Sequence, residues 1–158
     1  MKSLYGYVFV VFSVFLFGCQ QQQRVLTDAE KKAVEKEVTD QFSQLAAAVN
    51  QLNADAWSRY YSKDDFVSAI VGTDYYGARS AWIDTITKYF SMRERQSIEP
   101  SQVQVTALAP GLALMTSEEK VAISLKSGGH SEVKHVFTMI WKKEHDGWKI
   151  VHSHESIK

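Results

Sequence analysis

The chain has 158 residues, of which 45% are apolar, 12% aromatic and 23% charged, and its 18 basic side chains balance 18 acidic ones. This length is typical of one domain with a substantial core, and the composition excludes global disorder. Zero net charge argues against binding nucleic acid through phosphates, and a single cysteine excludes an intrachain disulfide framework or a zinc site built on several cysteines.

Residues 1–18 have the pattern of an export signal. Lys2 is the only charged residue before Arg24, and an apolar run covers residues 4–18. A short basic start followed by such a run is typical of a signal peptide. The run is shorter than the ~20 residues that a membrane-spanning helix needs. We therefore interpret residues 1–18 as a lipoprotein signal peptide.

The end of this run, Leu16–Cys19, resembles a bacterial lipobox, in which a peptidase cuts before the cysteine and the thiol is acylated. The resemblance implies a lipid anchor at Cys19 and a place in the cell envelope. Gln20 rather than Asp follows the cysteine, which resembles the pattern for outer-membrane delivery in enterobacteria-like sorting, so the expected location is the outer membrane, facing the periplasm. Four glutamines cannot build a core, so residues 19–26 are predicted to be the lipidated cysteine and a tether.

Residues 27–158 are predicted to form one α+β domain, because helical patterns come first and strand patterns later. Thr27 and Glu30 have the spacing of a capping box. A stripe of apolar residues at helical spacing continues from there to Leu52. Three further elements are predicted before Pro100: helices at 56–61 and 79–93, and a short strand at 66–71.

The remainder of the domain is predicted to be an antiparallel sheet. Its long strands are expected at 102–109, 112–125, 133–145 and 148–156. Three dipeptides between them favour turns: Pro110-Gly111, Gly128-Gly129 and Asp146-Gly147. Strands joined by such short turns pair with their neighbours along the chain.

The last of these turns predicts a register for the C-terminal hairpin. A two-residue loop at Asp146-Gly147 pairs His145 with Trp148 and places Trp141 opposite His152. Because side chains alternate along a strand, one face is then bulkier than the other and should meet the helices. That face is expected to carry Phe137, Met139, Trp141, Ile150, His152 and His154.

The hairpin segment Trp141–Ser156 combines a tryptophan, a charged turn ending in glycine, a second tryptophan and a His-Ser-His motif. It resembles the C-terminal hairpin of the nuclear transport factor 2-like superfamily, and is most similar to SnoaL-like domains and the association domain of calcium/calmodulin-dependent kinase II. The resemblance covers about residues 28–156. It implies a cone-shaped, curved antiparallel sheet wrapped around the N-terminal helices, a pocket inside the cone, and a homodimer through the outer face of the sheet.

The resemblance also implies which residues lie in or near the pocket: Trp57, Tyr61, Trp82, Phe137, Met139, Trp141, His152 and His154. Ketosteroid isomerase relatives carry a catalytic acid on the first strand and a tyrosine on the first helix. Residues 66–71 contain no acid and Ala46–Ala48 no tyrosine, so the base and the donor of an enolising enzyme are missing. We therefore expect binding of a small apolar or aromatic ligand without catalysis, and no cofactor.

Two other interpretations stay open. His152 and His154 could serve as the acid and base of an enzyme, or the domain could have a structural or partner-binding role in the envelope.

A metal held by these two histidines would need a third ligand, for which His135 and Glu118 are the candidates. Because nothing places either within reach, no metal is expected. Glu118 and Lys120 share one side of their strand and would form a polar pocket wall or a solvated edge.

Overall fold

The computed structural model describes residues 24–157. Within this range, three helices and two short strands come first, and four long strands follow. None of the helices within the described residues is both long enough and apolar enough to cross a membrane. The elements in chain order are α1 (Asp28–Asn50), α2 (Ala54–Ser58), β1 (Ser68–Val71), β2 (Asp74–Tyr76), α3 (Arg79–Met92), β3 (Arg93–Ala109), β4 (Leu112–Leu125), β5 (His130–Glu144) and β6 (Gly147–Ile157).

The predicted capping box at the start of α1 is confirmed. Thr27 Oγ1 accepts from the backbone N–H of Glu30 at 3.3 Å, and Glu30 Oε2 accepts from the backbone N–H of Thr27 at 2.9 Å. The helix ends at Asn50, because Leu52 adopts a left-handed conformation with φ of 54°. The side chain of Asn53 then caps α2 by accepting from the N–H of Ala56 at 2.9 Å.

All six strands form one sheet in the order β2-β1-β6-β5-β4-β3. The pair β1 and β6 is parallel and the other neighbours are antiparallel. The sheet curves around the helices, and α1 packs mainly against β3. The predicted α+β class and cone-shaped architecture are confirmed. The homodimer through the outer face of the sheet stays a prediction.

The edge strand β3 begins at Arg93, nine residues before the predicted start at Gln102. Pro100 lies inside this strand and has no N–H to donate to a neighbour. The structure accommodates it with a break in register between Pro100 and Gln102. Edge strands and bulges are the positions at which a sheet tolerates proline, so the strand runs through a residue that the sequence indicated as its boundary.

The C-terminal hairpin has a different register from the predicted one. Glu144 pairs with Gly147, which makes His145 and Asp146 the turn residues. Trp141 then lies opposite Ile150, and both side chains are fully buried. Beyond this pair, β6 contains one more residue than β5.

The extra residue is Val151, because the next pair after Trp141 and Ile150 is Ile140 with His152. Such a β-bulge changes the face that every later side chain of the strand occupies. Met139 pairs with Ser153 and Phe137 pairs with Glu155, so Ser153 and Glu155 face the helices. His152 and His154 therefore lie on the outer face of the sheet, and their predicted place in the pocket is wrong.

Candidate functional site

A cavity of about 90 Å³ lies between the helices and the inner face of the sheet. Part of its apolar wall is aromatic, and Trp57 lies at the centre of this aromatic part. The ring centroid of Trp57 is 4.8 Å from that of Tyr61, 5.7 Å from that of Trp82 and 6.1 Å from that of Phe90. Tilted and edge-on aromatic pairs at these separations are mutually stabilising. The wall is thus a packed, preformed surface for an apolar ligand.

Five of the eight residues predicted for the pocket line this cavity: Trp57, Tyr61, Trp82, Phe137 and Met139. Trp141 is fully buried in the core without being one of the lining residues. His152 is half-buried and His154 exposed on the opposite face of the sheet. A role of the five lining residues in binding stays a prediction.

The polar end of the cavity is formed by three side chains that we call the acid–base cluster: Glu119, His135 and Glu155. Glu119 on β4 and His135 on β5 are directly paired in the sheet. Oε1 of Glu155 contacts Nδ1 of His135, and both side chains are largely buried. The bulge in β6 makes this pair possible, because it turns Glu155 toward the cavity.

Glu119 is only 3% exposed, and its environment favours the protonated form. Burial raises the pKa of its carboxyl group to about 7, although the hydrogen bond from Ser117 Oγ, at 2.8 Å, acts in the opposite direction. The negative charge of Glu155 raises this pKa further. At neutral pH the site therefore holds a buried carboxyl group, that of Glu119, which can keep and donate a proton.

Tyr61 and Arg93 add two hydrogen-bond donors to the cavity lining. Burial raises the pKa of the Tyr61 hydroxyl to about 12, so this group stays protonated at neutral pH. The guanidinium of Arg93 donates to Gln96 Oε1 and lies 5.6 Å from the ring centroid of Tyr89. Burial lowers the pKa of Arg93, while the charge of Glu155 opposes that effect. The polar end can therefore hold an oxygen-bearing group of a ligand.

The sequence identified His135 as a candidate ligand but neither of the two carboxylates of the cluster. The other candidate ligand, Glu118, is exposed on the outer face together with Lys120. The inward side of β4 is occupied by alternate residues that are all buried: Ala113, Met115, Ser117, Glu119 and Val121. The apolar pair Met115 and Val121 signalled this alternation and could have identified Glu119. No group of three or more His, Cys, Asp or Glu side chains within residues 24–157 is arranged to hold a metal.

The sequence also matches a known family directly. Residues 38–158 match the family model of the SnoaL-like domain. The chain belongs to the SnoaL-like family. No curated protein sequence matches it.

Solved structures show the same fold for this SnoaL-like chain. A nuclear transport factor 2-like superfamily protein from Salmonella enterica is 13% identical, with a TM-score of 0.72, covering 79% of this chain and 91% of its own. A candidate dehydratase from Streptomyces avermitilis is 17% identical, with a TM-score of 0.69 and coverage of 77% and 93%. A candidate calcium/calmodulin-dependent kinase II association domain from Xanthomonas campestris is 17% identical, with a TM-score of 0.68 and coverage of 86% and 94%.

Proposed function

We propose that this SnoaL-like domain binds a small, mainly apolar molecule in its cavity and transfers a proton to or from it. The observation that carries the proposal is the acid–base cluster at the end of an aromatic cavity. Buried titratable groups with shifted pKa values in a pocket are typical of catalytic sites. Binding without catalysis remains the alternative, and it is supported by the apolar wall alone.

The roles of the three groups follow from their contacts. Glu155 engages Nδ1 of His135, which orients the ring and leaves Nε2 as the nitrogen available to a ligand. A neutral ring with its proton on Nδ1 can then take up a proton at Nε2. Glu119, protonated up to about pH 7, can supply a proton to a departing or developing oxygen. Proton abstraction from carbon, followed by elimination or isomerisation, is the reaction class that fits.

The size of the cavity restricts the substrate. An engineered apolar cavity of roughly 150 Å³ accepts benzene in another protein. The cavity here measures about 90 Å³, so a ligand the size of one ring would require side chains in the wall to move. We therefore expect a compact substrate with a few carbon atoms and one oxygen-bearing group.

Exchange of substrate hydrogen with D₂O tests this proposal. The full chain is incubated with a panel of small cyclic and branched ketones and alcohols, and mass spectrometry records deuterium uptake or loss of water. We expect at least one compound to react, and His135→Gln to slow it by about 100-fold or more. His130→Gln is the matched control, because His130 is exposed in the β4–β5 hairpin. Turnover that survives in His135→Gln would contradict the proposal, and retention of a compound without exchange would indicate binding alone.

We also propose that the domain is anchored to the outer membrane through Cys19, facing the periplasm. The support is the apolar run and the lipobox-like residues of the sequence, which lie outside the described residues. Labelling with radioactive palmitate checks this directly: we expect the wild type to carry the label and Cys19→Ser to lose it and move to the soluble fraction. A labelled Cys19→Ser variant would refute the anchor.

A further inference from the structure

We infer that His152 and His154 form a binding site for one divalent late transition metal ion, with Cu²⁺ preferred, on the outer face of the sheet. This site is separate from the cavity, because the two histidines lie on the opposite side of β6 from Ser153 and Glu155. It does not depend on the proposed function of the acid–base cluster.

The two imidazoles have the spacing that a chelating pair requires. Residues two positions apart on a strand point in the same direction and are separated by roughly 6.6 Å along the chain. Two long side chains that start at this distance can converge on one ion between them. The bulge at Val151 turns both outward together, and the re-aiming of side chains is what bulges do in functional sheets.

A neighbouring strand holds one of the two rings in place. Ser68 Oγ on β1 lies 2.9 Å from Nδ1 of His152. When Nδ1 carries the proton and donates to this hydroxyl, Nε2 is left as the metal-binding nitrogen. Metal-binding histidines are commonly oriented by such a hydrogen bond on the far side of the ring.

Within the described residues, no charged side chain is paired with either histidine on the adjoining strands, so nothing there opposes the binding of a cation. The four residues paired with the histidines in the adjoining strands are uncharged: Ser68, Ile70, Thr138 and Ile140. Zinc sites take at least three protein ligands, whereas two nitrogen ligands completed by water suit Cu²⁺ first and Ni²⁺ after it.

Titration of the full chain with Cu²⁺ alone tests the inference, with calorimetry for affinity and electron paramagnetic resonance for the ligands. We expect one ion per chain and hyperfine coupling to two imidazole nitrogens. His152→Gln and His154→Gln should each weaken binding by about tenfold or more and remove one nitrogen from the spectrum. Ser68→Ala should weaken it less, through the loss of ring orientation.

His145→Gln is the matched control, because His145 is exposed in the β5–β6 turn at the other end of the strand. It should change the Cu²⁺ affinity by no more than about twofold. Circular dichroism melting of each variant separates loss of binding from loss of folding. Equal affinity in wild type and His154→Gln would overturn the site, and so would an equal loss in His145→Gln.

Discussion

Replacing Glu119 with glutamine is expected to stabilise the protein above pH 7 and to remove a pH dependence from its folding. The carboxyl group has a pKa of about 7 in the native state, against an ordinary value of 4.5. Between these values the native protein keeps a proton that the unfolded chain releases. The free energy of unfolding of the wild type therefore falls as the pH rises through this range, by about 3 kcal/mol. Glutamine cannot ionise and avoids this loss.

Urea denaturation gives the free energy of unfolding of wild type and Glu119→Gln at pH 5 and pH 8. The change between the two pH values in the wild type, minus the same change in the variant, measures the effect of Glu119. Titrating groups far from Glu119 contribute equally to both proteins and cancel. Glu118→Gln is the matched control: it removes a carboxylate from the adjacent position, which is exposed on the outer face, and should leave the pH dependence unchanged. If the free energy of unfolding changed between pH 5 and pH 8 by the same amount in Glu119→Gln and in the wild type, Glu119 would behave as a solvated carboxylate and the prediction would be wrong.

This prediction connects stability with the proposed chemistry. A buried acid that destabilises the fold at neutral pH is retained more easily if it has a function than if it only fills space. Glu119→Gln should therefore be more stable above pH 7 and less active in the D₂O exchange assay. A gain in stability without a loss of exchange would assign the proton transfer to His135 alone.

The largest loss of stability is expected for Trp141→Ala. Trp141 has no exposed surface and lies between Ala113 and Ile150, its partners on the two neighbouring strands. Removing a buried tryptophan side chain costs about 3–5 kcal/mol, because contacts are lost and a cavity remains. Since whole domains are stable by only about 5–15 kcal/mol, the variant should melt well below the wild type.

Trp141→Phe is the appropriate comparison for that variant. The indole Nε1 of Trp141 is buried without a hydrogen-bond partner, so phenylalanine removes an unsatisfied donor while keeping most of the aromatic volume. Urea denaturation followed by circular dichroism should show a smaller loss for phenylalanine than for alanine. Equal losses in the two variants would mean that the ring shape at this position, and not the buried volume, determines stability.

Most of the fold could be predicted from local signals in the sequence. The capping box of Thr27 and Glu30 marked the start of α1, and the helix predicted at 79–93 ends within one residue of α3. Such signals depend on neighbours along the chain, so they can be interpreted without the tertiary structure. The early start of β3 was missed, because the tolerance of an edge strand for Pro100 depends on its place in the sheet.

The site was predictable only in part, and the reason is geometrical. The aromatic residues of the wall follow from the family resemblance, and His135 follows from alternation along β5. Glu155 could not have been found in this way, because its inward direction depends on the extra residue Val151 in β6. A bulge is stabilised by packing on both faces of the sheet and by the strand pairing on either side of it, which no short window of sequence contains.

The bulge at Val151 adds one residue to β6 and shifts the inward–outward alternation of all later side chains by one position. The strand keeps its place in the sheet, but each side chain after the bulge points to the face opposite the one it would otherwise occupy. The serine of the His-Ser-His triplet therefore points inward and its two histidines point outward. Domains of this shape that lack the inserted residue would present the same triplet the other way round. An alignment that matches the triplets letter by letter therefore equates side chains on opposite sides of the sheet, and transfers of function between such domains need the strand pairing as well as the motif.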